Sequence, residues 1–121
     1  MKAHQTMATL LAATTVVACA ATPTDDELAK VTRAALADAS RHSGDSSPAL
    51  EVVSAERVVW RVGSLGCPRP DRAYTQALVP GYRVVVRTRG GLLDYHAGLR
   101  GEPSLCPSDR AVDPLPEDGQ R

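Results

Sequence analysis

The sequence predicts an α+β fold: one N-terminal helix packed on a small antiparallel sheet of three or four strands, held by one disulfide. Apolar residues recur at helical spacing soon after residue 24, and they alternate with polar residues between residues 50 and 99. The chain has 121 residues and no Phe. We therefore expect a single small domain, residues 24–106. Its core contains few large side chains, so we expect a disulfide to stabilise it.

The first predicted element is a helix that begins at Thr24. Thr24 is a favoured N-cap residue, and Glu27 three residues later completes a capping box. An apolar stripe at helical spacing follows, formed by Leu28, Val31, Ala35, Leu36 and Ala39. Turn-forming residues 43–48 end the helix, and the stripe is expected to cover one face of the sheet.

The second predicted element is a strand over residues 50–62. Its apolar residues of one parity are Val52, Val58, Trp60 and Val62. This alternation predicts a strand with one face inward. Ser54 and Glu56 interrupt the inward set, so we expect a bulge or an irregular start at that point.

Prolines and glycines dominate the stretch that follows. Residues 63–73 are expected to form an ordered loop. Residues 74–78 are expected to form a short strand, and Pro80-Gly81 to form a turn.

Residues 82–99 predict a β-hairpin. Gly90 and Gly91 suit a two-residue loop, and this register places Arg87 opposite Asp94 as an ion pair. The expected core face comprises Tyr82, Val84, Val86, Leu93, Tyr95, Ala97 and Leu99. The expected solvent face comprises Arg83, Val85, Arg87, Asp94 and His96. Residues 107–121 are rich in proline and acids, which predicts a disordered tail.

The N-terminus carries the pattern of a secretory signal peptide, residues 1–18. A short, weakly basic head precedes an apolar run from Met7 to Val17. The run is too short to span a bilayer as a mature helix but long enough for a signal core. We therefore expect the protein to be exported.

Residues 16–19, VVAC, end this signal. They resemble the lipobox of bacterial lipoproteins, in which the cysteine is acylated on sulfur and becomes the first mature residue. The resemblance implies that Cys19 is lipidated and labelled by palmitate, and that residues 19–23 form a tether. Because Ala20 follows the cysteine, it also implies the outer membrane, facing the periplasm. The alternative is ordinary cleavage after Ala20, which would remove Cys19.

Cys67 and Cys106 are the cysteines that remain once Cys19 is assigned to lipid. Cysteines of exported proteins usually pair, which predicts a disulfide between these two. It closes a loop of about 40 residues, for which the chain-entropy model gives about 4 kcal/mol of stabilisation. The alternatives are a nucleophilic Cys67 or a zinc ligand, although the sequence has no C-x-x-C spacing.

Several short motifs resemble a family of small bacterial exported proteins. They are Trp60, SLGCP at 64–68, YTQ at 74–76, PGYR at 80–83, YH at 95–96 and the late Cys106. The match covers about residues 50–106. The family has no established activity, so the resemblance implies export and a shared fold rather than a substrate.

The formal net charge is +0, which does not indicate a nucleic-acid partner. The candidate binding residues fall into two groups. A basic face is expected from Arg57, Arg61, Arg83, Arg87, Arg89 and His96. A rigid loop edge is expected at Tyr74 and Gln76.

We therefore expect a non-enzymatic envelope lipoprotein, held to the membrane by its lipid, that binds or inhibits an envelope protein or an anionic polymer. No metal or other cofactor is expected. One alternative is a small hydrolase or metal-binding protein built on His96 and Asp94, whose side chains share a face. A purely structural surface protein is the other alternative.

Overall fold

A computed structural model of the protein describes residues 13, 15 and 23–120. Its elements are α1 (Pro23–Ser43), β1 (Glu51–Trp60), β2 (Val79–Thr88), β3 (Gly91–Gly98), β4 (Ser104–Cys106) and a short 3-10 helix (Glu117–Gln120). The strands form one antiparallel sheet in the order β1-β2-β3-β4. One helix packed on this four-stranded sheet confirms the predicted α+β class.

The N-terminal predictions lie largely outside the described residues. These are the signal peptide, the lipidated Cys19 and most of the tether at residues 19–23, together with the capping side chain of Thr24. The helix itself begins at Pro23. Proline suits the first helical position, because its ring already holds the helical φ and the N–H that it lacks would have no partner there.

The helix packs on the sheet through small and branched side chains. Val31, Ala35 and Ala39 are at most 6 % exposed, and Leu28 and Leu36 pack at the margins of the same cluster. The sheet side of the cluster comprises Tyr82, Val84, Val86, Tyr95 and Ala97. The predicted apolar stripe is confirmed, and its alanines let the helix lie close to the sheet.

One polar contact also joins helix and sheet. Tyr95 Oη donates a hydrogen bond to Asp38 Oδ2 at 2.9 Å. Burial, together with this bond, raises the pKa of Tyr95 above its usual range. The phenol therefore remains a protonated donor at every pH at which the protein would be handled.

A β-bulge in β1 changes which residues face the helix. The pairing with β2 shifts between Val52 and Ser54, and Val53 between them is 43 % exposed. Val52 faces the helix, whereas Val58 and Trp60 beyond the bulge face the opposite side of the sheet. The prediction of one inward face for the whole set is wrong, because the extra residue reverses the alternation. Val62, the fourth member of that set, lies beyond the end of β1.

The β2–β3 hairpin turns one residue earlier than predicted. Thr88 pairs with Gly91, so Arg89 and Gly90 form the turn and Gly91 follows with a φ of 126°. Thr88 Oγ1 accepts a hydrogen bond from the Gly90 amide, and Asp45 Oδ2 accepts one from the Arg89 amide. These two side chains hold the turn, and glycine is the residue that tolerates this φ.

The earlier turn moves every cross-strand partner by two residues, so the residues within the strands keep their predicted faces. Arg87 consequently pairs with Leu92. The predicted Arg87–Asp94 ion pair is therefore wrong. Arg87 instead binds Glu51 at 2.9 Å, and Asp94 binds Arg83 at 2.8 Å. The prediction that Leu99 belongs to the core face is wrong, because β3 ends at Gly98 and Leu99 is 42 % exposed.

Two predictions between residues 74 and 81 are also wrong. Residues 74–78 form no strand, and Pro80 and Gly81 lie within β2 rather than in a turn. A Cβ on Gly81 would overlap the Ala97 carbonyl oxygen and crowd Trp60 Nε1. Glycine is needed at this position for close packing between strands, not for a turn.

The C-terminal segment, residues 107–116, is attached to the disulfide loop and to β1, contrary to the predicted disordered tail at residues 107–121. The Leu115 amide donates to the Val59 carbonyl at 2.9 Å, and the Val112 amide donates to the Gly66 carbonyl at 2.8 Å. Backbone hydrogen bonds to distant parts of the chain thus place a segment whose composition alone would not bury enough apolar surface to fold.

Candidate functional site

The face of the sheet opposite α1 is covered by loop residues 61–68 and by the C-terminal segment. Cys67 and Cys106 form a disulfide with Cα atoms 5.7 Å apart, as predicted. Because Cys106 ends β4, the disulfide fixes the loop to the edge of the sheet. The face that was expected to be solvent-exposed is therefore a second packed layer.

Trp60 lies at the centre of this layer. It is fully buried, its Nε1 donates to the Ala97 carbonyl at 3.0 Å, and its ring stacks on His96 with centroids 4.4 Å apart. Gly66, with a φ of 70°, lies against the indole, where a Cβ would overlap the ring and the Val112 carbonyl oxygen. The SLGCP loop can close over Trp60 because this residue is glycine.

His96 is buried, with 2 % of its surface exposed. Its Nδ1 lies 2.7 Å from the Leu65 carbonyl oxygen and donates to it, since a carbonyl only accepts. Its Nε2 lies 3.1 Å from Asp94 Oδ1, an ion-pair distance when the ring is protonated, yet makes no well-directed hydrogen bond within the described part of the chain. The surface position expected for His96 is wrong, because the disulfide-held loop covers it.

Arg83 connects the sheet to the C-terminal segment through two carboxylates. Its Nε and Nη2 donate to the two oxygens of Asp94 at 3.0 and 2.8 Å, and its Nη1 donates to Asp113 Oδ1 at 3.0 Å. The hydrogen bond to Asp94 raises the pKa of Arg83 further. Burial by itself would raise the pKa of Asp94, but His96 and Arg83 lower it to about 2. Arg83 and Asp94 are therefore a charged pair at neutral pH, and Arg83 links this pair to Asp113 in the C-terminal segment.

The structure divides the predicted basic face. Arg83, Arg87 and Arg89 each bind an acidic side chain. Arg57 and Arg61 are exposed and have no ionic partner among the described residues. The continuous basic surface expected from the sequence is therefore reduced to two free guanidinium groups on β1 and the residue after it.

A cavity of about 330 Å³ lies beside the disulfide loop, and we call it the loop cavity. Three predicted site residues, Arg61, Tyr74 and Gln76, meet there. The rest of its wall comprises Val62, Ser64, Gly66, Pro68, Val112 and Asp113. The structure thus joins one arginine of the predicted basic face to both residues of the predicted loop edge.

The contributions of Ser64, Gly66 and the C-terminal segment to this cavity were not predicted. The SLGCP motif was the available signal for Ser64 and Gly66, which it contains. No local pattern marks Val112, which reaches the cavity because its amide binds the Gly66 carbonyl. Only the folded chain shows that the two segments share a wall.

A larger cavity, of about 770 Å³, lies between β3, the end of β4 and the turn that follows it. Its apolar wall comprises Val85, Leu92, Leu93, Leu105 and Ala111. Arg83 and Asp94 also line it, and both are already engaged with each other. Three further polar residues, His42, Ser108 and Asp109, also belong to its lining.

The alternative catalytic or metal-binding role for His96 and Asp94 finds no further ligands. Among the residues that the structure describes, no three His, Cys, Asp or Glu side chains are grouped so that they could hold a metal ion. Within the same part of the chain, no helix combines the length and apolarity needed to cross a membrane.

Comparison with known proteins identifies a family without assigning an activity. No curated protein and no solved structure matches the chain. The family model described as "Domain of unknown function (DUF8738)" matches residues 32–106, from within α1 to the end of β4. Because this match covers more than half of the sequence, the chain belongs to that family.

Proposed function

We propose that the protein is an exported lipoprotein of the cell envelope whose α+β domain is a non-enzymatic binding or inhibitory module. The observation that carries the proposal is the disulfide between Cys67 and Cys106. Disulfides persist in oxidising compartments, so this one supports export. In this proposal residues 1–18 act as the signal peptide that directs export. The lipid on Cys19 anchors the protein in the outer membrane, facing the periplasm.

The binding role is supported by the way in which the loop is held. The disulfide fixes one end of the loop, and the bond from His96 to the Leu65 carbonyl fixes its middle. A loop that is already ordered loses little conformational entropy when a partner binds. Tyr74 and Gln76 lie beside it and offer contacts to an envelope protein or an anionic polymer.

The alternatives receive less support. Hydrolysis or metal binding at His96 would require it to reach a substrate, but Trp60 stacks on its ring and the loop covers it. Arg83 holds both oxygens of Asp94. A purely structural role would leave the loop cavity unexplained, so binding is the better proposal.

Palmitate labelling in a bacterial host that processes lipoproteins tests the anchor. The wild-type chain should incorporate the label and sediment with membranes, and Cys19→Ser should do neither. A Cys67→Ser/Cys106→Ser double variant is the matched control and should keep its label, because acylation does not depend on the staple. Labelling that persists in Cys19→Ser, or that is absent from the wild type, would contradict the anchor.

Crosslinking in the native envelope tests the binding role. The wild-type chain should give a discrete crosslinked product that the Tyr74→Ala/Gln76→Ala variant loses. A product unaffected by these substitutions would show that the loop edge is not the contact surface.

A further inference from the structure

We propose that the loop cavity binds a small monocarboxylate with an apolar chain, such as a medium-chain fatty acid. Its volume of about 330 Å³ falls within the range of small-molecule sites. This inference deepens the proposed function, because it names a ligand class for the binding module. It does not depend on Cys19, so failure here and failure of the lipid anchor are distinguishable.

The wall of the cavity suits an apolar chain. Val62, Pro68 and Val112 supply aliphatic side chains to the lining, and Tyr74 supplies an aromatic one. The Tyr74 hydroxyl oxygen accepts a hydrogen bond from the Arg69 amide at 3.0 Å, which fixes the position of this side chain. Burial of an aliphatic chain against these groups supplies the non-specific part of the binding energy.

The charges of the cavity favour an anion. Two charged side chains line it, Arg61 and Asp113. Asp113 is paired with Arg83 at 3.0 Å, whereas Arg61 has no ionic partner among the described residues. Arg61 is exposed, so its guanidinium is free to meet a ligand at the mouth. A planar carboxylate matches the two parallel donors of a guanidinium.

Two further polar groups can complete recognition of a carboxylate. The Ser64 hydroxyl makes no hydrogen bond within the described part of the chain, although the residue is buried. The Gln76 amide makes one long bond, at 3.4 Å, to the Tyr74 carbonyl. Both can donate to an oxygen without breaking a strong existing contact.

The cavity is formed before a ligand arrives. The Val112 amide binds the carbonyl of Gly66, a second lining residue, at 2.8 Å. The Gly63 amide binds the Thr75 carbonyl at 2.8 Å and so joins the two chain segments that carry the lining residues Ser64 and Gln76. The nearby disulfide restrains the same loop. Little ordering cost is therefore expected on binding, which favours measurable affinity for a small ligand.

Calorimetry on the purified full chain with three probes tests the ligand class. Octanoate should bind with a Kd of about 1 mM or tighter, since about ten heavy atoms can supply that much free energy. Octanamide has nearly the same apolar chain without the charge, and acetate has the charge without the apolar chain. Both should bind at least about fivefold more weakly than octanoate. Octanamide lacks the ionic contact with Arg61, and acetate lacks the apolar chain that the cavity would bury.

Trp60 reports the place of binding. It is the single tryptophan of the chain, and Gly66, which lines the cavity, lies against its ring. Octanoate should change the Trp60 fluorescence with the same Kd as calorimetry. Heat of binding without a fluorescence change would place the ligand elsewhere and overturn the assignment.

Substitution of Arg61 tests the charge. Arg61→Gln should weaken octanoate binding about fivefold or more and leave octanamide binding unchanged, and Arg61→Lys should restore part of the loss. Arg33→Gln, on the exposed side of α1 and likewise without an ionic partner in the described chain, is the matched control and should bind as the wild type. Equal binding of octanoate and octanamide, equal losses in the two glutamine variants, or no octanoate binding up to about 10 mM would each overturn the proposal.

Discussion

Trp60 can be buried because two glycines make room for it. Gly81 lies beside its Nε1 and Gly66 lies against its six-membered ring. In the sequence both glycines resemble turn residues, because each adjoins or lies near a proline. The structure shows that their main requirement is space, which a single sequence cannot reveal, since the residue that needs the space is distant in the chain.

Substituting Gly66 tests this account. Gly66→Ala would force a Cβ into the Trp60 ring at a φ of 70°, so we expect a loss of about 2–4 kcal/mol in the free energy of unfolding. Urea denaturation followed by Trp60 fluorescence measures it. Gly101→Ala, where a Cβ meets no atom within 4 Å, should change stability by less than about 0.5 kcal/mol. Equal effects of the two substitutions would refute the packing argument.

At the scale of elements, alternation predicted which residues of the hairpin face inward but not which residues pair. The inward set depends only on parity, and a shift by two residues preserves it. The register depends on the turn, which Thr88 and Asp45 hold. Asp45 binds the Arg89 amide but lies 44 positions before it in the chain. The sequence of the hairpin alone therefore could not reveal this contact. The predicted register therefore paired Asp94 with Arg87, whereas in the structure Asp94 binds Arg83.

The true partners of Asp94 predict how stability depends on pH. Because its folded pKa, about 2, lies below the usual value near 4, the unfolded chain binds the proton more readily between these values. The stabilisation is therefore complete above about pH 4 and is lost as the pH falls toward 2, by roughly 2 kcal/mol. With its side chain 17 % exposed, Asp94 is only partly screened by solvent.

Urea denaturation at about pH 5 and about pH 2.5 measures this loss. Asp94→Asn should be less stable than the wild type at the higher pH and should show a smaller difference between the two pH values. Asp71→Asn, which removes an exposed carboxylate without a described partner, should follow the wild type. A pH dependence in Asp94→Asn as steep as that of the wild type would assign the acid sensitivity to other groups.

At the scale of the whole molecule, the sheet is covered on both faces, and only one of the two layers was predictable. The helix layer follows from a periodic stripe within one segment. The second layer combines residues 61–68, the end of β4 and residues 107–116, none of which carries a periodic pattern. Counting cysteines predicted the Cys67–Cys106 bond that holds this layer. It did not show that the bond would cover His96, and so the candidate site was only partly foreseen.

The disulfide should therefore contribute much of the stability of the domain. Its cysteines are 39 residues apart, and closing a loop of this length reduces the entropy of the unfolded chain by an amount worth about 4 kcal/mol. The Cys67→Ser/Cys106→Ser variant should lose roughly that amount in urea denaturation. Acrylamide should also quench Trp60 more strongly in its native state, because the loop over the indole is no longer tied to β4. Cys19→Ser is the control and should retain both wild-type stability and wild-type quenching, since the staple is intact. A double variant as stable as the wild type would mean that backbone bonds from the C-terminal segment, not the disulfide, hold the second layer in place.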